Sequence, residues 1–272
     1  MQDMTSSKTL IVLLAYKSNP EWLEITIQSV AGQTRGDFRC VIVDSTPETD
    51  PNSSLISSVG NSRSADPRFI YRHRTWEPHA DVARKVNSTV LEFGGDCDYV
   101  AIMPDDDYLA PRFLEVQAGA LDGNPAAGFA QGGVHFFGDR HGFWLHDLRL
   151  DKQVVDQVGQ NQFAGTCLMR MVPFREFGGY DEDSVPQGFP MGLEDFTLFI
   201  HFLRAGWRYT AAPEILLFCR QRPDQHSRKL YESALFWPLV QKLCHKQGIE
   251  LTFMDAGGIS LKYQQVQRSL AP

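Results

Sequence analysis

The amino-acid sequence predicts an α/β protein built on a doubly wound sheet, and three features carry that reading. Continuous apolar runs at Thr9 to Tyr16 (TLIVLLAY) and Tyr99 to Met103 (YVAIM) fit strands covered on both faces. Helical periodicities alternate with further β-branched runs, the pattern of βαβ units. Carboxylates stand directly after two of the strands, at Asp44 and at Asp105 to Asp107, where doubly wound sheets hold their ligands.

Each element has its own signal. After the first strand, Asn19 supplies an N-cap, Pro20 a pre-set first helical residue and Glu21 an acidic first turn; Leu23, Ile27 and Val30 then repeat at helical spacing to about Ala31. Arg39 to Asp44 (RCVIVD) reads as a second strand, and the polar stretch from Ser45 to Pro67 as a long loop. A strand at Phe69 to Arg72 precedes a helix whose Val82, Val86, Val90 and Phe93 share one face until Gly94 and Gly95 stop it. Beyond residue 125 the pattern shifts to strands at Gly128 to Phe137, Thr166 to Met171 and Ile215 to Arg220. A helix runs from about Glu194 to Ala205, and a C-terminal helix from Ser227 to Lys246 is expected to break at Pro238.

Composition narrows the function. The 272 residues are 43% hydrophobic and 22% charged, enough for a full core. The longest aliphatic run, Leu10 to Ala15, is far short of the roughly 20 residues of a membrane helix. No basic segment precedes it as in a signal peptide, so a cytoplasmic setting is expected. Five cysteines without a Cys-x-x-Cys pair argue for reduced thiols rather than a disulfide or zinc framework. A formal charge of -7 disfavours nucleic acid as a partner but leaves room for an anionic small molecule held by a cation or a local arginine cluster.

Three segments could carry chemistry. Adjacent charges such as those of Asp105, Asp106 and Asp107 repel by about 4 kcal/mol at 4 Å and an effective dielectric of about 20. A hard divalent cation relieves that repulsion and shares its other positions with phosphates; solvated turn carboxylates, or caps for a helix beginning near Pro111, are the alternative. Glu194 and Asp195 open an amphipathic helix, where acids are also ordinary partners of the helix dipole. Arg220, Arg222, His226 and Arg228 crowd three guanidiniums and an imidazole into nine residues, suited to phosphate oxygens or simply a solvated loop.

In order and spacing these segments resemble the family-2 glycosyltransferases of the GT-A fold, the inverting, nucleotide-sugar-dependent enzymes. The resemblance runs over roughly residues 9 to 228: LLAYKSNPEWLEITIQSVAGQT, VIVDSTPETD, VARKVNSTV with YVAIMPDDDYLAP, FGGYDED, GLEDFTLFIHFLRAGW and RQRPDQHSR. It implies a single GT-A domain with a Rossmann-like N-terminal half. Within it, a nucleotide-sugar-binding region spans about 9–125, an acceptor and catalytic region about 126–228, and a helical tail about 229–272.

Residue by residue, the resemblance implies that Tyr16 stacks on the nucleotide base and Asp44 accepts a hydrogen bond from it. Asp105 to Asp107 match the Asp-x-Asp region, which holds a divalent cation (Mn²⁺ or Mg²⁺) against the donor diphosphate and contacts the ribose. Pro104 stands where the commoner Asp-x-Asp-Asp pattern has its first aspartate, and Asp106 is taken as the principal metal ligand, with Asp107 and His226 completing the set. Arg222 and Arg228 would clamp phosphate. Arg84 is a further candidate for the donor, with a plain helix-surface arginine as its alternative. Asp195 matches the general base of the family's Glu-Asp pair, and Glu194 would support the loop or the acceptor.

The implied donor is a nucleotide-diphosphate sugar, UDP-linked by preference. The implied acceptor is a hydroxyl on a glycan, a small molecule or a lipid-linked species met peripherally at a membrane. Acceptor contacts are expected between about Gln131 and Pro190, where Phe143, Trp144 and Phe189 could stack on it, although isolated aromatics are more often core. Two other enzyme readings fit less well. A nucleotidyltransferase would need a glycine-rich basic loop where Tyr16 to Pro20 stand, and a HAD-type phosphatase would carry its Asp-x-Asp after the first strand. A catalytically silent glycan- or nucleotide-sugar-binding module is the alternative from a different class.

Overall fold

Strand β1 (Thr9–Ala15) splits its side chains between two cores: Leu10 and Val12 face one, Ile11, Leu13 and Ala15 the other. That division follows from the two-residue period of a strand covered on both sides. It holds across the computed structural model, which describes residues 8–74, 81–145, 153–159, 161–186, 189, 191–223, 226–253 and 259–262.

The first half alternates strand and helix, with one helix more than expected: α1 (Pro20–Ala31), β2 (Phe38–Asp44), α2 (Ser53–Gly60), β3 (Phe69–His73), α3 (Asp81–Phe93) and β4 (Tyr99–Pro104). Strands β3, β2, β1 and β4 lie side by side and parallel, in register at Leu14 with Pro104 and at Ala15 with Asp44. Their carboxyl ends therefore form one edge. The second half adds β5 (Tyr108–Leu109), α4 (Phe113–Asp122), β6 (Ala127–Gly138), β7 (Gly142–Trp144), α5 (Val154–Gly159), β8 (Leu168–Arg170), α6 (Met171–Glu176), α7 (Glu194–Arg204) and β9 (Arg208–Gln221). Strand β8 runs antiparallel to both β4 and β6, and β9 is parallel to β6. Strands β4, β6 and β9 consequently point the same way, and their carboxyl ends extend the same edge.

Helices cover both faces. On one side α3 contributes Ala83, Val86 and Val90, and α7 contributes Phe196, Phe199, Ile200 and Leu203. On the other, α1 brings Leu23, Ile27 and Val30, and α4 brings Phe113, Leu114, Ala118 and Leu121. The entry to α1 is built as its sequence requires: Glu21 and Trp22 donate their backbone N–H groups to Asn19 Oδ1 at 2.9 and 3.2 Å, with Pro20 first in the helix. No helix among the described residues is long and apolar enough to cross a membrane.

Five boundaries differ from expectation. The strand expected from Ile215 begins much earlier, at Arg208, as β9. The polar stretch after β2 contains α2, anchored by buried Ile56. The strand expected over Thr166 to Met171 contracts to β8, because Met171 already begins α6. The C-terminal helix divides into α8 (His226–Tyr231) and α9 (Phe236–Lys246), and Pro238 lies inside α9, in the first turn where a missing N–H leaves no gap in the helix ladder. The tail is not helical throughout: β10 (Glu250–Phe253) and β11 (Ile259–Lys262) pair as an antiparallel hairpin, consistent with apolar and polar residues alternating in ELTF and ISLK.

Candidate active site

The acid triplet is held by α1. Thr26 donates its hydroxyl to the Asp107 carbonyl at 2.6 Å, Ser29 Oγ accepts the Leu109 N–H at 3.1 Å, and Gln33 Nε2 donates to the Ala110 carbonyl at 2.8 Å. These contacts fix the backbone that leaves β4. The three carboxylates then diverge. Asp105 Oδ2 accepts from the Ser18 hydroxyl and from the Tyr16 N–H at 3.4 Å, while Asp107 Oδ1 accepts the Arg220 N–H at 2.8 Å. Asp106 pairs through Oδ2 with Arg222 Nε at 3.2 Å. Helix α4 is capped at Arg112 without a side-chain bond, so the acids are not its caps.

Burial and mutual repulsion load this cluster. Burial, then the neighbouring Asp106 charge, pushes Asp105 up to about 6 against the opposing bonds from Ser18 and Tyr16. Asp107 is raised by the same two causes. Arg220 backs the triplet from β9: its Nε donates to the Asp106 carbonyl at 3.2 Å, and its guanidinium lies 4.3 Å from the Trp22 ring centroid and 4.6 Å from that of Phe137. A cavity of about 260 Å³ opens here between Trp22, Gly138, Asp139, Arg220 and Arg222. Among the described residues no three His, Cys, Asp or Glu side chains converge as a ready metal cage.

At the ends of β1 and β2, Tyr16 is 44% exposed, with Lys17 Nζ 5.5 Å and Lys85 Nζ 5.7 Å from its ring centroid. Asp44 is buried. Its Oδ1 accepts the Thr46 N–H at 2.8 Å and its Oδ2 the Tyr71 hydroxyl at 2.6 Å, so it braces this turn from below instead of standing open. Lys85, which sequence reasoning passed over for its neighbour, is buried and donates to Ser45 Oγ at 2.5 Å. Arg84 points elsewhere, its Nε 2.8 Å from Glu182 Oε2 in a surface ion pair.

The start of α7 completes the edge. Both Glu194 carboxylate oxygens accept the Gly192 N–H at 3.0 Å, closing the turn before the helix; burial pushes Glu194 up to about 7 despite that bond. Asp195 Oδ1 accepts the Phe196 N–H at 2.7 Å, and burial raises Asp195 against it. Asp195 Oδ2 faces Gly165, where a Cβ would come within 2.6 Å. Gly165 just precedes β8, beside Ala164, whose backbone is bonded in both directions to the Gln131 amide of β6. The topology thus brings Tyr16, Asp44, Asp105, Asp106, Asp107, Arg222, Glu194 and Asp195 to one edge of the sheet. The side chains of His226 and Arg228 lie outside the described residues.

Residues 10–179 match the model of the family described as glycosyl transferase family 2, well over half of the chain. The chain belongs to that family. The fold of this glycosyltransferase is also that of solved structures of S. aureus TarS. The TarS 1–349 fragment in complex with UDP-GlcNAc superimposes with a TM-score of 0.65 at 14% identity, over 88% of this chain and 66% of that one. The same fragment in complex with UDP gives 0.60 at 12% identity, over 88% and 70%. A longer TarS structure gives 0.59 at 12% identity, over 88% of this chain but 42% of that one. The glycosyltransferase thus spans less than two thirds of the first of these chains and under half of the longer one. No curated protein matches it.

Several contacts that shape this edge left no local mark in the sequence. Thr26, Lys85 and Gly165 act through partners tens of residues away. The adjacency of Lys85 to Arg84 in a basic pair was the only hint that the buried cation would be the second of the two.

Proposed function

We propose that this chain is a metal-dependent inverting glycosyltransferase that moves a sugar from a nucleoside-diphosphate donor, UDP-linked by preference, to a hydroxyl acceptor in glycan or glycoconjugate synthesis. The reading treats residues 1–272 as one catalytic domain in a cytoplasmic setting. One observation carries it. Asp195, a half-buried carboxylate whose pKa is raised, stands against Gly165 on the same sheet edge as the acid triplet and the exposed ring of Tyr16.

In this reading Tyr16 stacks on the base, with Lys85 and the turn braced by Asp44 shaping its surroundings. The donor set of the triplet suits a hard divalent cation, which needs one or two carboxylates and leaves its other positions to water and phosphate. Asp106, whose Oδ2 lies 3.2 Å from Arg222 Nε beside the cavity, is the first ligand. Asp107 offers the oxygen not used by Arg220, and His226 is a third candidate. Bound there, the cation supplies positive charge where the departing diphosphate accumulates negative charge. Arg222, with Arg228 as a second candidate, adds guanidinium donors to the same phosphates.

Asp195 takes the proton from the attacking acceptor hydroxyl. Its raised pKa improves it as a base at neutral pH, since proton transfer is most effective when the base titrates near the working pH. Glu194 holds the turn that aims it. Attack in line with the leaving group inverts the anomeric centre without a covalent sugar intermediate.

The test uses Asp195→Asn with UDP-sugars and Mn²⁺. Donor binding, read as a thermal shift, should persist while transfer and donor hydrolysis fall by at least about 100-fold. Unchanged turnover would remove Asp195 from the mechanism.

A further inference from the structure

The far corner of the sheet carries aromatic rings in register. Pairing aligns Phe143 of β7 with His135 of β6, His135 with Phe218 of β9, and Phe218 with Tyr108 of β5. The rings touch in that order. Phe143 and His135 stack with centroids 4.6 Å apart, His135 and Phe218 meet edge to face at 5.5 Å, and Phe218 and Tyr108 stack at 4.5 Å. Phe137 leans on Tyr108 at 5.3 Å. Alternate residues of the same strands, Val134, Phe136, Leu217 and Cys219, turn the other way into the core under α1 and α4. Among the described residues none of the five rings in this row joins either core, and Phe143 is 65% exposed.

Position says what the row serves. Tyr108 follows Asp107 directly, and Arg220, bonded to the Asp106 carbonyl, packs on Phe137, so the row begins at the acid triplet. Along β6 the same face runs from Phe129, which packs on Phe199 and Phe202 of α7, through Gln131, which holds Ala164 beside Gly165, to His135. The row therefore opens on the side of the sheet occupied by Asp195, where an acceptor hydroxyl has to arrive. Three interstrand spacings make it about 14 Å long, more than one sugar ring covers. An aromatic row with an imidazole within it and the Arg220 guanidinium against Phe137 suits pyranoses, whose C–H faces are apolar and whose hydroxyls lie at the rim.

We propose that this row is an acceptor track and that the acceptor is an extended saccharide chain, gripped several units away from the reacting hydroxyl. The inference rests on the glycosyltransferase reading of the site and adds to it the class of acceptor. Its occupant follows from continuity with that site: a chain whose end lies at Asp195 has the row as the next surface it meets.

Affinity electrophoresis of the full chain, with UDP and Mn²⁺ present, tests it in gels containing neutral polymers (dextran, hydroxyethyl cellulose) or anionic ones (hyaluronan, alginate). At least one polymer should retard the native chain, and the neutral and anionic arms identify which kind. Phe143→Ala and Phe218→Ala should each weaken that retardation by about fivefold, with the Mn²⁺-dependent thermal shift by UDP unchanged. Retardation by none of the polymers, or undiminished retardation of Phe143→Ala, overturns the track. So does a native dimer that Phe143→Ala converts to monomer, because the row would then be a self-interface. UDP stabilisation without polysaccharide retardation sinks the track alone; absence of UDP stabilisation in the native chain sinks the donor-site reading as well.

Discussion

Asp195 Oδ2 lies where it does because residue 165 has no side chain: a Cβ on Gly165 would approach it to 2.6 Å. The glycine is thus a spacer that lets a charged carboxylate settle beside the backbone leading into β8. Gly165→Ala should displace Asp195 by up to about 1 Å and lower kcat by about 100-fold, with little change in donor KM. Steady-state kinetics with a circular-dichroism melt separates this from unfolding. A variant with native kcat would show that the contact does not position the base.

Glu194 links pH to stability. Its folded pKa, about 7, lies above the usual glutamate value of 4.5. A raised carboxylate pKa gives stability that is fully present below the unfolded value and is lost as pH rises through the folded one, here from about pH 4.5 to 7. Glu194→Gln keeps an acceptor for the Gly192 N–H but has no charge to bury. Its Tm should therefore fall less than that of the native chain between pH 5 and pH 8, a difference of up to about 3 kcal/mol. Parallel pH dependences in the two proteins would refute the linkage.

Asp195 predicts the acid limb of activity. Because burial raises it, kcat/KM should decline with falling pH at a midpoint above the ordinary aspartate value of about 3.9. A pH-rate profile measured with saturating Mn²⁺ checks this; activity held constant down to pH 4 would contradict it.

The proposed roles of Asp106 and Arg222, metal ligand and phosphate donor, can be separated. Asp106→Asn should abolish the Mn²⁺-dependent part of UDP stabilisation, whereas Arg222→Ala should weaken UDP roughly tenfold while keeping the metal dependence. Differential scanning fluorimetry with and without Mn²⁺ distinguishes the two. Equal loss of metal dependence in both variants would mean that Asp106 needs Arg222 to be placed.

Lys85 should matter more than Arg84. Lys85→Met removes the buried cation facing Tyr16 and Ser45 and should weaken UDP by about tenfold; Arg84→Ala breaks an exposed ion pair with Glu182 and should leave binding within about twofold. Calorimetric titration of both variants decides the ranking.

What was legible in the sequence is what local pattern encodes. Strands buried on both faces show as unbroken apolar runs, so β1 and β4 could be read directly, and the carboxylates after β2 and β4 followed. The Asn19-Pro20 start of α1 is likewise local chemistry. Other features depend on register between distant strands. Nothing near Phe143 or Tyr108 says that His135 and Phe218 will lie between them, and the bond from Thr26 to Asp107 spans 81 positions. The hairpin of β10 and β11 was readable from two-residue alternation, but four-residue segments are too short to outweigh the helix before them. The burial of Lys85 next to an exposed Arg84 was not legible, because the turn that buries Lys85 is built from the end of β2.

The short strand β8 joins the two halves of the sheet. Two register pairs tie it to β4 and two to β6, and its Arg170 side chain donates to the carbonyls of Ala127 at 2.8 Å and Leu121 at 2.6 Å. The acids that face the leaving group belong to one half, and the glycine against which the base rests opens onto this splice. The separation between the acid triplet and Asp195 is thus gauged by the three residues of β8. Retuning the enzyme for another donor or acceptor can redraw either shore, but the span between them is the same bridge.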